Sequence, residues 1–137
     1  MKLALAILFF INIVRAKIDL FLGTGGFGFG CGSNSPAVQV PYSYVRLGPD
    51  TTPMFRKLYK PFQHFGGYSF ADHSIRAFSH MHLVGAGVQD MGILGILPKI
   101  SKGNLEVPID PLAQFYKNSE YAEPGYYSSE LENKIKV

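Results

Sequence analysis

The segment Gly23-Thr24-Gly25-Gly26-Phe27-Gly28-Phe29-Gly30-Cys31-Gly32 concentrates glycine, which lets backbone amides approach a ligand closely. Its Gly23-x-Gly25-x-x-Gly28 spacing matches the phosphate loops of kinases and dinucleotide-binding folds. No Val-Ala-x-Lys, His-Arg-Asp or Asp-Phe-Gly signature accompanies it, so the other parts of phosphate chemistry are missing. The segment reads as a sharply folded turn or a pocket wall. His80-Met81-His82 places two imidazoles on one face of an expected strand, because strand side chains repeat every two residues. Such a pair binds zinc when a third ligand converges, and Asp90, His64 and His73 are the candidates. The His-Glu-x-x-His spacing is absent, so the pair reads as hydrogen-bonded groups in a polar pocket or at a domain interface. Ten acidic residues could supply paired carboxylates for general acid–base hydrolysis, but spacing singles out none of them. Glu120 and Glu123 flank a turn and are expected to be solvated. The serines lie in no Gly-x-Ser-x-Gly elbow, and nothing beside Cys31 marks it as an activated nucleophile.

The elements that must hold these groups are short strands. Pro41 to Gly48 alternates, with Tyr42, Tyr44 and Arg46 opposite Ser43, Val45 and Leu47. Ile75 to Leu83 is a second strand, Ile93 to Leu97 a third and buried one, and Tyr126 to Leu131, after Pro124-Gly125, a fourth. The span from Asp50 to Gln63, with Pro53, Pro61 and several basic residues, reads as an exposed loop. Residues 101–119 read as another connection, with a helical turn from Asp110 and Pro111. A new strand starts at Lys134-Ile135-Lys136-Val137. Short strands between Gly/Pro turns predict an all-β sandwich. Its expected core is Val45, Leu47, Ile75, Phe78, Leu83, Ile93, Leu94, Ile96 and Leu97.

At the start, Lys2 precedes an apolar run from Leu3 to Val14 and a small residue at Ala16. That anatomy predicts a secretory signal peptide over residues 1–16, with cleavage before Lys17. A bilayer span needs about 20 apolar residues, so this run is too short to be one. Loss of Lys2 and Arg15 leaves eleven basic residues against ten acidic ones, no footprint for nucleic acid. Cys31 is the single cysteine of the 137 residues, so no intrachain disulfide can form.

Taken in order, six blocks resemble glycoside hydrolase family 92. Phe21-Leu22-Gly23-Thr24-Gly25-Gly26 is similar to that family's opening, followed by Ser35-Pro36-Ala37-x-Gln39-x-Pro41 and Arg46-Leu47-Gly48-Pro49-Asp50-Thr51. Then come Gly67-Tyr68 and Ile75-Arg76-x-Phe78-Ser79-His80-x-His82-Leu83-x-Gly85-x-Gly87-x-x-Asp90-x-Gly92. Glu120-x-Ala122-x-Pro124-Gly125-Tyr126-Tyr127 closes the series. Met81, Tyr116 and Ser129 depart from the family's usual Thr, Ser and Val, and the chain has no Trp.

The resemblance implies an N-terminal β-sandwich (supersandwich) domain over residues 17–137, incomplete at its C-terminal end. Its partner would be a C-terminal (α/α)6 catalytic barrel absent from this chain. The implied protein is a secreted or lumenal α-mannosidase-like hydrolase that removes terminal α-mannose from N-glycans or glycoproteins by an inverting mechanism. The implied site lies between the two domains, with Gly25, Gly26, His80, His82 and Asp90 toward the mannose-containing glycan. His80→Ala and His82→Ala are then expected to impair activity more than folding. Calcium is implied for the full-length enzyme and none is expected within this chain. The catalytic carboxylates are expected in the barrel, which would leave this segment inactive alone. The alternative is a non-catalytic secreted carbohydrate-binding or interaction protein.

Overall fold

The computed structural model describes residues 18–26, 31–40, 44–55, 61–85, 92, 94–101, 103 and 108–137. The strands in chain order are β1 (Gly48–Thr52), β2 (Ser74–Ser79), β3 (Gly95–Ile96), β4 (Ala113–Gln114), β5 (Tyr121–Glu123), β6 (Tyr126–Ser128), β7 (Glu130–Leu131) and β8 (Ile135–Lys136). Helical segments among the described residues are single 3-10 turns at Pro61–Gln63, Lys117–Ser119 and Glu132–Lys134, so the fold is all-β. None of them is long and apolar enough to cross a membrane. The expected signal peptide lies outside the described residues.

Strand β2 is the hub of the main sheet. One edge pairs antiparallel with β1, and the other meets β4 through Ser74 and Ile75 and β3 through Phe78 and Ser79. The β1–β2 register shifts between Asp50 and Thr51, where β2 carries the extra residue Arg76. Such a bulge increases local twist and re-aims side chains. Strand β1 is Gly-Pro-Asp-Thr-Thr, yet all five residues are buried. Pro49 is tolerated because β1 lies at the sheet's edge. Ile75, Ala113, Phe115 and Leu131 form the buried core, with Phe78, Leu97, Ile135 and Val137 packed around them.

Two hairpins complete the chain. β5 and β6 are joined through Pro124 and Gly125, the latter at φ 84°, the conformation that favours glycine in a type II turn. β7 and β8 are joined through Asn133 and Lys134, at φ 62° and 59°. A bridge between Phe115 and Leu131 links this last hairpin to the core.

Several expected elements differ. Residues 41–43 of the first expected strand lie outside the described ones, and the strand itself begins at Gly48 after a single bridge from Leu47 to Val38. Asp50 to Thr52 is buried strand rather than exposed loop, because its polar side chains find partners inside the protein. The second strand stops at Ser79, and the third shrinks to Gly95–Ile96, with Ile96 64% exposed. Asp110 and Pro111 open no helix but lead into β4. The fourth strand breaks at Ser129 into β6 and β7, while the strand expected from Lys134 onward is present as β8. Of the expected core, Ile75 is fully buried and Phe78 and Leu97 pack beside it. Val45, Leu47, Leu83, Leu94 and Ile96 are exposed, since no second layer lies over them among the described residues. Ile93 lies outside those residues.

Candidate functional site

The glycine segment turns sharply at Gly23 (φ 78°) and Gly26 (φ 136°). Thr24 anchors it: buried, its hydroxyl donates to the Phe21 carbonyl at 2.7 Å, and its own carbonyl accepts from the Phe70 amide at 2.9 Å. Gly25 and Gly26 remain exposed at the rim of a cleft of about 440 Å³, with Asp19, Phe21, Thr24, Phe70 and Ala71. Phe21 and Phe70 meet edge to face, with ring centroids 5.8 Å apart. An open aromatic and backbone-lined cleft suits a small polar ligand with an apolar face. Residues 27–30 lie outside the described segments.

The histidines do not share a strand face. His80 lies just past the end of β2, partly buried, with Nδ1 3.1 Å from the Leu94 carbonyl. His82 is buried, with Nε2 2.7 Å from Asp50 Oδ1 and Nδ1 3.1 Å from the Arg46 carbonyl. The Ser79 hydroxyl sits 3.4 Å from the same Nε2. A nucleophilic triad needs serine and carboxylate on opposite ring nitrogens. Here both crowd one nitrogen in the interior, so the group positions chain rather than attacks substrate. Neither histidine lines the Gly25–Gly26 cleft, and Asp90 lies outside the described residues.

His82→Ala would leave the Asp50 carboxylate buried and without its partner, a loss of about 3 kcal/mol. His80→Ala, at a partly buried position, loses one hydrogen bond to the Leu94 carbonyl and should cost about 1 kcal/mol. Thermal or urea unfolding of the two variants separates them, and equal losses would count against the different roles.

Two further networks were not legible from residue spacing. His64 Nε2 lies 2.6 Å from Asp72 Oδ2, which also accepts the Thr51 hydroxyl at 2.8 Å. Thr51 in turn accepts the Ser69 amide at 2.9 Å. Glu120, expected to be solvated, has its side chain only 2% exposed. Its Oε1 accepts the Tyr68 and Tyr127 hydroxyls, each at 2.8 Å, and its Oε2 lies 2.7 Å from Lys117 Nζ. Lys117 also donates to the Tyr68 oxygen and lies over the rings of Phe70, Tyr68 and Phe115 at 4.3, 4.8 and 5.2 Å. Burial, reinforced by Glu120, pushes both phenols far above the ordinary tyrosine range. Burial also pulls Lys117 down, and Glu120 opposes that pull. The one sequence signal for this cluster was the set of family-like blocks, which supply Tyr68, Glu120 and Tyr127. The others supply Asp50, Thr51, Ser79 and His82, so the blocks converge as buried polar partners.

No group of three or more His, Cys, Asp or Glu side chains that could hold a metal converges among the described residues. The buried carboxylates of Asp50, Asp72 and Glu120 are engaged by protein groups, and these residues do not fit calcium.

These features define an all-β module whose separated segments are tied by buried polar networks. Residues 17–137 match the family model of the glycosyl hydrolase family 92 N-terminal domain. The chain belongs to that family. It is similar to a family GH92 α-mannosidase from Bacteroides thetaiotaomicron, with a TM-score of 0.67 and 26% identity over 87% of this chain and 16% of that one. The same enzyme in complex with mannoimidazole gives a TM-score of 0.67 and 26% identity over 87% of this chain and 15% of that one. A GH92 family glycosyl hydrolase, ccman5, gives 0.55 and 26% over 83% of this chain and 14% of that one. The chain thus spans less than a fifth of the length of these solved structures. No curated protein matches it.

Proposed function

We propose that residues 17–137 form one wall of the sugar site of a secreted α-mannosidase-like hydrolase acting on terminal α-mannose of N-glycans or glycoproteins. Gly25, Gly26, His80, His82 and Asp90 lie on the sugar side in this reading, with His82 acting through the segment it anchors. The observation that carries it is the family match over residues 17–137 together with a 26%-identical α-mannosidase solved with mannoimidazole. The exposed glycines beside Phe21 and Phe70 support it, since they admit a ligand against backbone and ring together.

Inverting hydrolysis needs an acid and a base carboxyl about 6.5–9.5 Å apart across the scissile bond, and enzymes of this kind accelerate reactions by at least about a millionfold. The buried carboxylates here are each locked to protein partners. The chain purified from culture medium, beginning at Lys17, should therefore release no mannose from an aryl α-mannoside, with or without calcium. Grafted in place of the matching segment of the Bacteroides relative, it should support release. Activity that copurifies with the isolated chain, or a folded but inactive graft, would defeat this reading.

A further inference from the structure

One face of the β5–β6 hairpin carries Tyr121 and Glu123 from β5 and their cross-strand partners Ser128 and Tyr126 from β6, because side chains alternate along a strand. The other face turns Tyr127 inward to Glu120. The Tyr121 and Tyr126 rings lie 6.1 Å apart at 59°, each about half-exposed. Both border a cleft of about 430 Å³ whose far side is formed by Glu130 and Lys136 of the β7–β8 hairpin. Its volume is within the range of roughly 300–1,000 Å³ common for small-molecule sites. The Tyr121 hydroxyl donates to Glu123 at 2.8 Å, which fixes the ring and makes its face more electron-rich. That hydrogen bond, and then the Glu123 charge, hold the Tyr121 phenol above its ordinary range. Glu130 and Lys136 stand opposite each other across β7 and β8, so their charges offset. Glu123 has no cationic partner among the described residues, which leaves the tyrosine end of the cleft negative.

We propose that this cleft binds a quaternary ammonium group of the choline type, against the faces of Tyr121 and Tyr126 and beside Glu123. Such a cation is bulky and weakly hydrated, so it leaves water cheaply and is drawn to the negative faces of aromatic rings. A metal ion instead needs several converging oxygen ligands, and no such acidic group converges among the described residues. A phosphate would find only Lys136, whose charge Glu130 already offsets. The inference does not depend on the mannosidase reading, because the cleft is formed by other residues than the Gly25–Gly26 one and calls for no cleavage of a sugar.

The test is a titration of the ¹⁵N-labelled full chain with choline chloride at constant ionic strength, followed by amide shifts. Saturable shifts are expected at Tyr121, Glu123, Tyr126 and Ser128. The neutral isostere 3,3-dimethylbutan-1-ol, of the same shape without the charge, should bind at least about fivefold more weakly. Tyr126→Leu keeps apolar bulk but removes a ring face, and should weaken choline binding by about fivefold, while Tyr126→Phe retains it. Lys136→Gln, at an exposed position, removes the one positive charge at the cleft and should tighten binding by about twofold. Should Tyr126→Leu fail to fold, Lys136→Gln and the isostere decide the matter. Co-sedimentation with phosphatidylcholine vesicles would assign the group to a lipid headgroup, and binding of choline without it to a soluble ligand; both support the proposal. No saturable shift, equal binding of the isostere, or unchanged or weaker binding in folded Lys136→Gln would overturn it. A failed mannosidase graft would leave it standing.

Discussion

Glu120→Ala should lower the unfolding free energy by about 3–5 kcal/mol, the range for removing one partner of a buried ion pair. The substitution deletes the acceptor shared by Tyr68 and Tyr127 and the counter-charge of Lys117. The lysine is then left above three aromatic rings without its carboxylate, and two buried phenols lose their partner. Native domains hold roughly 5–15 kcal/mol in total, so most of the margin disappears. Glu120→Gln keeps an acceptor for the phenols and should fall between. Urea unfolding of both variants measures the effect, and a loss under about 1 kcal/mol for alanine would mean the cluster is incidental. The same groups set an alkaline limit. Tyr68 and Tyr127 have folded values raised above the ordinary 10.0, so their contribution is whole below pH 10 and declines as pH rises further. With two phenols the slope approaches about 3 kcal/mol per pH unit, and Lys117, held below 10.5, opposes it only up to about that pH.

Gly32→Ala carries the second large effect, at least about 3 kcal/mol, from two causes that add. Gly32 sits at φ 79°, where an L side chain is strained. A Cβ there would also lie 2.0 Å from the Gln63 carbonyl oxygen and 2.5 Å from its carbon, backbone atoms that cannot rotate away. The Gly32 carbonyl accepts the Gly66 amide at 3.1 Å, so displacing it disturbs the turn that leads to Tyr68. Gly125→Ala is the control. Its φ is 84°, yet a Cβ there meets nothing within 4 Å, so only the conformational cost of about 1–2 kcal/mol applies. Equal losses in the two variants, by thermal or urea unfolding, would show that the Gln63 contact does not matter.

What the sequence determined by itself is the class of the fold, the Pro124–Gly125 turn and the closing strand at Ile135–Lys136. Each depends on neighbours within a few residues: side-chain alternation, a proline's preset φ, a glycine's access to positive φ. The family-like blocks were legible for the same reason, as local strings in a fixed order. Tertiary structure alone decided which polar groups are inside. Glu120 looks solvated beside a turn, because its partner Tyr68 stands 52 residues away, and Asp50 looks like loop until His82, 32 residues on, pairs with it. Burial of a charged side chain depends on whether a complementary group arrives from another part of the chain, and periodicity carries no record of that arrival. The same distinction separated His80 from His82. Two residues apart, they differ because the sheet ends at Ser79 and only one of them turns back beneath β1 to meet a carboxylate.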